Sequence, residues 1–126
     1  MYDLFGGNRW LFHLVDEQTD GMFLLDLENP EEEFLSPRFW TNLGIDPQKQ
    51  EHKAGEWKKL INSDDLENIW DIAMQHVSDP SVPFLGEVHY TTTYGTQLRI
   101  LCFGNVVDRS TPTRLFGIHK NLSEER

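Results

Sequence analysis

The spacing of apolar positions changes along this chain. It follows a helical period near the start and through the middle, and a period of two in the last third. Trp10, Leu11, Leu14 and Val15 recur at helical spacing and predict an N-terminal helix from about Asn8. GMFLLDL, residues 21–27, is a short apolar run bounded by Gly21 and the turn signal Asn29-Pro30, so it predicts a buried strand. EFLS, residues 33–36, predicts a second strand and a hairpin. SPRFWTNLG, residues 36–44, carries helix punctuation: Ser36 as cap, Pro37 in the first turn, Gly44 as stop. A polar loop follows over 45–55, then a short helical piece, EWKKLI, over 56–61. NSDDLENIWDIAMQHV predicts the longest helix, with Asp64 and Glu67 as a capping box. Leu66, Ile69, Trp70, Ala73 and Val77 form its apolar stripe, and SDPSVP ends it.

In FLGEVHYTTT, Phe84, Val88 and Tyr90 alternate with Glu87, His89 and Thr91, the mark of a half-buried strand. Tyr94-Gly95 turns the chain into TQLRILCFGNVV, where Leu98, Ile100, Cys102 and Val106 share one face. Arg99, Leu101, Phe103 and Val107 share the other, which is too apolar for water, so both faces need cover. DRSTPT, residues 108–113, is expected as a loop and RLFGIHKNL as the last strand. Strands at both ends with helices between predict an α+β fold: a five-stranded antiparallel sheet, short helices on one face and the N-terminal helix flanking it.

Composition narrows the function. A chain of 126 residues suits one domain that buries its core without metal or disulfide. Cys102 is the only cysteine, which excludes an internal disulfide and fits a reducing, cytoplasmic setting. No apolar run approaches a membrane span, and the N-terminus lacks signal-peptide grammar. The net charge of −10 opposes nucleic-acid and anionic-membrane binding. Seventeen of the 21 acidic residues lie in positions 1–79, which reads as a solvated acidic face.

Little catalytic chemistry is spaced for use. His13, His52, His76, His89 and His119 show no paired-ligand spacing; His89 and His119 could meet on one sheet face, but no metal site is expected. His76 falls off the apolar stripe of its helix. Asp64 and Asp65 suit a helix start better than acid–base work. No catalytic residue is assigned. Phe39, Trp40, Trp57 and Trp70, with Tyr90 and Phe116 on the facing strands, either line a pocket or fill it.

The segments FLSPRFWTNLGIDP, EWKKLINSDDLENIW, FLGEVHY, YGTQLRI and LFGIHKNLSEE, in that order, resemble a PAS domain, the sensory box of bacterial signalling proteins, over roughly 21–123. Residues 1–20 would then be a flanking helix and 124–126 the start of a linker to an output domain. The resemblance implies a sensory, non-enzymatic module of a histidine kinase or diguanylate cyclase. A small ligand would lie among Phe39, Leu43, Trp57, Trp70, Met74, Ile100 and Phe116. Its signal would leave through Asn121, Leu122 and Ser123, which stand where the family carries Asp-Ile-Thr. Haem and flavin are not expected: the surroundings of His76 and of Cys102 do not match the haem-ligand and flavin-adduct motifs, and the cofactor stays unknown. A ligand-free module that forms a homodimer through the N-terminal helix and outer sheet face is the alternative. A cone-shaped α+β enzyme ranks behind both; Asp26 or His119 in the pocket with a shifted pKa would favour it.

Overall fold

A computed structural model describes residues 2–29, 31–48, 55–108 and 110–123. Pro30, most of the expected polar loop with His52, and the expected linker start at 124–126 lie outside the described residues.

After a 3-10 turn at Tyr2–Phe5 comes α1, Arg9–Glu17, whose Asn8 side chain accepts the Leu11 amide and so caps it. Then follow β1 (Met22–Asp26), β2 (Phe34–Leu35), α2 (Pro37–Asn42), a 3-10 turn at Trp57–Lys59, α3 (Ser63–Ser78), β3 (Phe84–Thr91), β4 (Gln97–Asp108) and β5 (Thr111–Asn121). The five strands form one antiparallel sheet in the order β2-β1-β5-β4-β3. The last strand therefore sits in the centre, paired on both sides. The α+β expectation stands.

Three local expectations need correction. Ser36 makes no capping bond; its hydroxyl instead accepts the Met22 amide at 2.8 Å, joining α2 to β1. The cap of α3 is Asn62, whose Oδ1 accepts the Asp65 amide at 3.0 Å; Asp64 and Asp65 fall in the first turn, where they favour the positive end of the dipole. The loop expected over 108–113 is much shorter, because Asp108 pairs with Thr111 and the strands run almost to the hairpin tip.

One sheet face meets α2, α3 and the second 3-10 turn. Phe23, Val88, Tyr90, Ile100, Cys102 and Leu115 belong to that core. On the other face Phe12 of α1 is fully buried, with its ring edge-on to Phe5 and Phe34, and Phe5 meets Phe116. Met22 and Leu24 are covered there too. Leu101, Phe103 and Val107 stay half-buried, so this face is only partly closed. Gly117 is required in β5 because a Cβ there would overlap the Phe23 ring.

Candidate functional site

Between the inner sheet face and the middle helices lies a cavity of about 430 Å³. Its size falls within the usual range for small-molecule sites. Phe23, Leu115, His119, Cys102 and Tyr90 approach it from the sheet, and Phe39, Trp57, Ile69, Trp70 and Ala73 from the helices. The exposed residues Lys58, Ser63, Glu67 and Asp71 also belong to its wall, so it reaches solvent between the second 3-10 turn and α3.

Phe39, Trp57 and Trp70, three of the residues expected here, line this cavity. Leu43 and Ile100 are buried in the core but do not form its wall. Met74 is 44% exposed; of the expected stripe on α3, Ile69 and Ala73 are buried and Leu66, Trp70 and Val77 half-buried, with His76 buried as well. His76 is therefore an interior residue: Nδ1 lies 2.6 Å from the Val82 carbonyl and Nε2 3.0 Å from Asn105 Oδ1. Phe116 points to the outer face. Alternation along β5 puts Leu115, Gly117 and His119 inside and Phe116 and Ile118 outside.

The expected ligand set omits most of the sheet side of the wall, including Phe23, Cys102, Leu115 and the polar pair His119 and Tyr90, although Tyr90 was already among the aromatics expected to line or fill a pocket. Strand parity could have found His119, since it shares a face with Leu115. His119 is 3% exposed and stacks on Phe39 at 4.8 Å between centroids, with Phe23 at 5.5 Å and Tyr90 at 5.7 Å. Burial in this aromatic box drives its pKa down to about 3, so the imidazole is neutral. Burial also pushes the Tyr90 hydroxyl well up and the Cys102 thiol up to about 12. Among the described residues, neither the His119 ring nitrogens nor the Tyr90 hydroxyl has a hydrogen-bond partner. Outside the wall, Trp57 Nε1 donates to Glu33 Oε1 at 3.0 Å, which fixes the indole.

A shifted His119 in the cavity meets one condition for a catalytic reading. A group with a pKa near 3 is nevertheless a weak base at neutral pH, and a thiol near 12 is a poor nucleophile. Asp26 is not part of the wall, and its carboxyl lies below its ordinary value through the Glu28 amide. His89 lies on the outer sheet face, opposite His119, where its amide and Nδ1 both reach Asp65 Oδ2 at 2.8 Å. Among the described residues no group of three His, Cys, Asp or Glu could hold a metal.

The expected exit is tied to the entry by one carboxylate. Asp20 Oδ2 accepts the Asn121 amide at 2.7 Å, and Oδ1 meets Arg38 of α2 at 3.3 Å. Arg38 Nε also donates to the Thr19 carbonyl. Asn121 Oδ1 accepts the Ser123 amide, Ser123 Oγ accepts the Arg99 amide, and the Arg99 guanidinium reaches Glu87 with two nitrogens. Nearby, Asp16 of α1 is buried and accepts the Arg38 amide at 3.2 Å; desolvation raises its pKa.

A family model described as PAS fold matches residues 32–119. No curated protein matches the chain. Among solved structures, a sensory box histidine kinase/response regulator from Burkholderia thailandensis superposes with a TM-score of 0.68 at 18% identity, over 89% of this chain and 84% of that one. A domain of a sensory box sensor histidine kinase/response regulator from Geobacter sulfurreducens gives 0.62 at 21% identity, over 93% and 96%. The PAS domain, in complex with ethanol, of a LuxR-family transcriptional regulator from Burkholderia thailandensis gives 0.58 at 16% identity, over 82% and 89%.

Proposed function

The chain belongs to the PAS fold family, and from that premise we propose that it is the sensory domain of a cytoplasmic bacterial signalling protein. In this reading it takes a small ligand into the cavity and relays occupancy through the end of β5 to an output domain of the histidine kinase or diguanylate cyclase type. It is not itself an enzyme. The observation that carries the reading is the continuity of one strand. His119 lines the cavity, and Asn121, two residues on, is held by Asp20 at the exit. A ligand that moves the His119 backbone strains a hydrogen bond at the place where the chain leaves the sheet. No helix among the described residues is long and apolar enough to cross a membrane.

Native mass spectrometry of the purified chain, with thermal melting against a metabolite panel, tests this. A retained small molecule or a rise in Tm is expected. Consistent failure of both rejects ligand sensing.

A second reading has its own observation. Trp10 is 71% exposed and Leu14 41% exposed on α1, beside the half-buried outer sheet face. Such a surface suits a homodimer formed through α1 and that face. Sedimentation would show a dimer that Leu14→Glu weakens; a monomer at high concentration rejects it.

A further inference from the structure

We infer that the cavity takes an uncharged aromatic molecule of one or two fused rings carrying a hydroxyl, carbonyl or ring nitrogen, held by hydrogen bonds to the His119 imidazole and the Tyr90 hydroxyl. This rests on the ligand-sensing reading above and specifies its chemistry.

The polar requirement comes from two side chains. His119 is 3% exposed and Tyr90 2%, and both belong to the cavity wall. Buried polar groups in folded proteins nearly always have a partner. Neither makes a hydrogen bond to another described residue, and neither is among the sealed orphan atoms, so both are open to a partner in the cavity they line. A neutral imidazole offers one donor and one acceptor, and a phenol offers both. A ligand hydroxyl, carbonyl or ring nitrogen satisfies either.

The charge requirement comes from what the wall lacks. Among the described residues its charged members, Lys58, Glu67 and Asp71, are all at the exposed mouth. An anion would pass Glu67 and Asp71 and find no buried cation among the described residues. The His119 ring stays neutral because its pKa lies near 3. A cation would find no carboxylate on the inner wall among the described residues, since Glu33 is not part of it and is bonded to Trp57. Either ion would be desolvated without a partner.

The ring requirement comes from the shape of the wall. Phe39 and Trp57 stand nearly perpendicular with centroids 6.1 Å apart, as do Phe23 and Phe84 at 6.2 Å. Perpendicular aromatic pairs offer a face beside an edge, the two surfaces against which a flat ring packs. The volume of about 430 Å³ lies at the small end of ligand sites and suits one or two rings.

Isothermal titration of the 126-residue chain with 2-naphthol, naphthalene and 2-naphthoate isolates each requirement. The three probes share one ring system and differ in a hydroxyl, nothing, or a charge. 2-Naphthol is expected to bind about tenfold more tightly than naphthalene, the worth of one buried hydrogen bond, and 2-naphthoate more weakly than either. Tyr90→Phe and His119→Leu should each reduce the preference for 2-naphthol while leaving naphthalene binding within about twofold. Tyr90→Phe removes one oxygen and keeps the ring, so it serves alone if His119→Leu fails to fold. Equal affinity for 2-naphthol and naphthalene, tightest binding of 2-naphthoate, or an unchanged preference in the folded variants overturns the assignment. In those cases the cavity still binds a ligand and the sensing reading survives. Binding of none of the three by a folded chain overturns the assignment, and the metabolite panel then decides the sensing reading separately.

Discussion

His119 carries no charge at neutral pH because burial among Phe23, Phe39 and Tyr90 would strip a cation of most of its hydration. This has a consequence for stability in acid. Above pH 6.5 the ring is neutral in both folded and unfolded chains, and its contribution is complete. Below that value the unfolded chain binds a proton that the folded chain refuses until about pH 3. Stability is therefore lost as pH falls through this window, at about 1.4 kcal/mol per pH unit for this one group. The difference in urea unfolding free energy between the wild type and His119→Leu should shrink by about 2 kcal/mol between pH 7 and pH 5. A constant difference would mean that the ring is hydrated. Gly117 makes a second point at this scale. Gly117→Ala forces the new methyl group against the Phe23 ring, and thermal melting should register a loss of about 1–3 kcal/mol.

Elements were legible where a local signal decided them, and less so where a neighbour did. The helix, two strands, helices and three strands expected from periodicity all form, because each run has one dominant period. Caps were misassigned because several side chains near a helix start can accept an amide. Ser36 was diverted to β1 by tertiary contact, and Asn62 precedes the pair of aspartates that looked like the signal. Asn62→Ala should cost about 1 kcal/mol in denaturant unfolding. The buried face of α3 was also shifted. Within the expected stripe Ile69 and Ala73 go deepest, and His76, outside that stripe, is buried with them by bonding to Val82 and Asn105. A histidine looks polar in sequence, so that anchor is invisible there, and Met74, expected at the ligand, is exposed. The site suffered the same way on β5. Phe116 is the larger apolar residue, yet parity assigns the inner face to His119.

Over the whole molecule, the cavity is a defect in packing kept open by aromatic walls. Ala73 is its smallest helical wall residue. Ala73→Leu should fill part of the space and raise the unfolding free energy by about 0.5–2 kcal/mol, while weakening 2-naphthol binding. A gain in Tm without a loss of binding would place the bound molecule elsewhere. That β4 is apolar on both faces was readable from strand parity, although its outer residues Leu101, Phe103 and Val107 are only half-buried. The meeting of the two ends of the domain was not, because it joins residues 101 positions apart through one side chain.

That meeting makes the domain a closed ring in all but covalent terms. Asp20 and Asn121 clasp the chain where it enters and leaves the sheet, with Arg38 on the other oxygen of the same carboxylate. A ring has no privileged starting point. A permuted chain that joins residue 123 to residue 8 by a short flexible linker and opens at the Tyr94-Gly95 turn should keep the sheet and its cavity. Asp20→Ala undoes the clasp alone. Hydrogen exchange at the Asn121 amide should then quicken while Val88, in the far strand, keeps its protection.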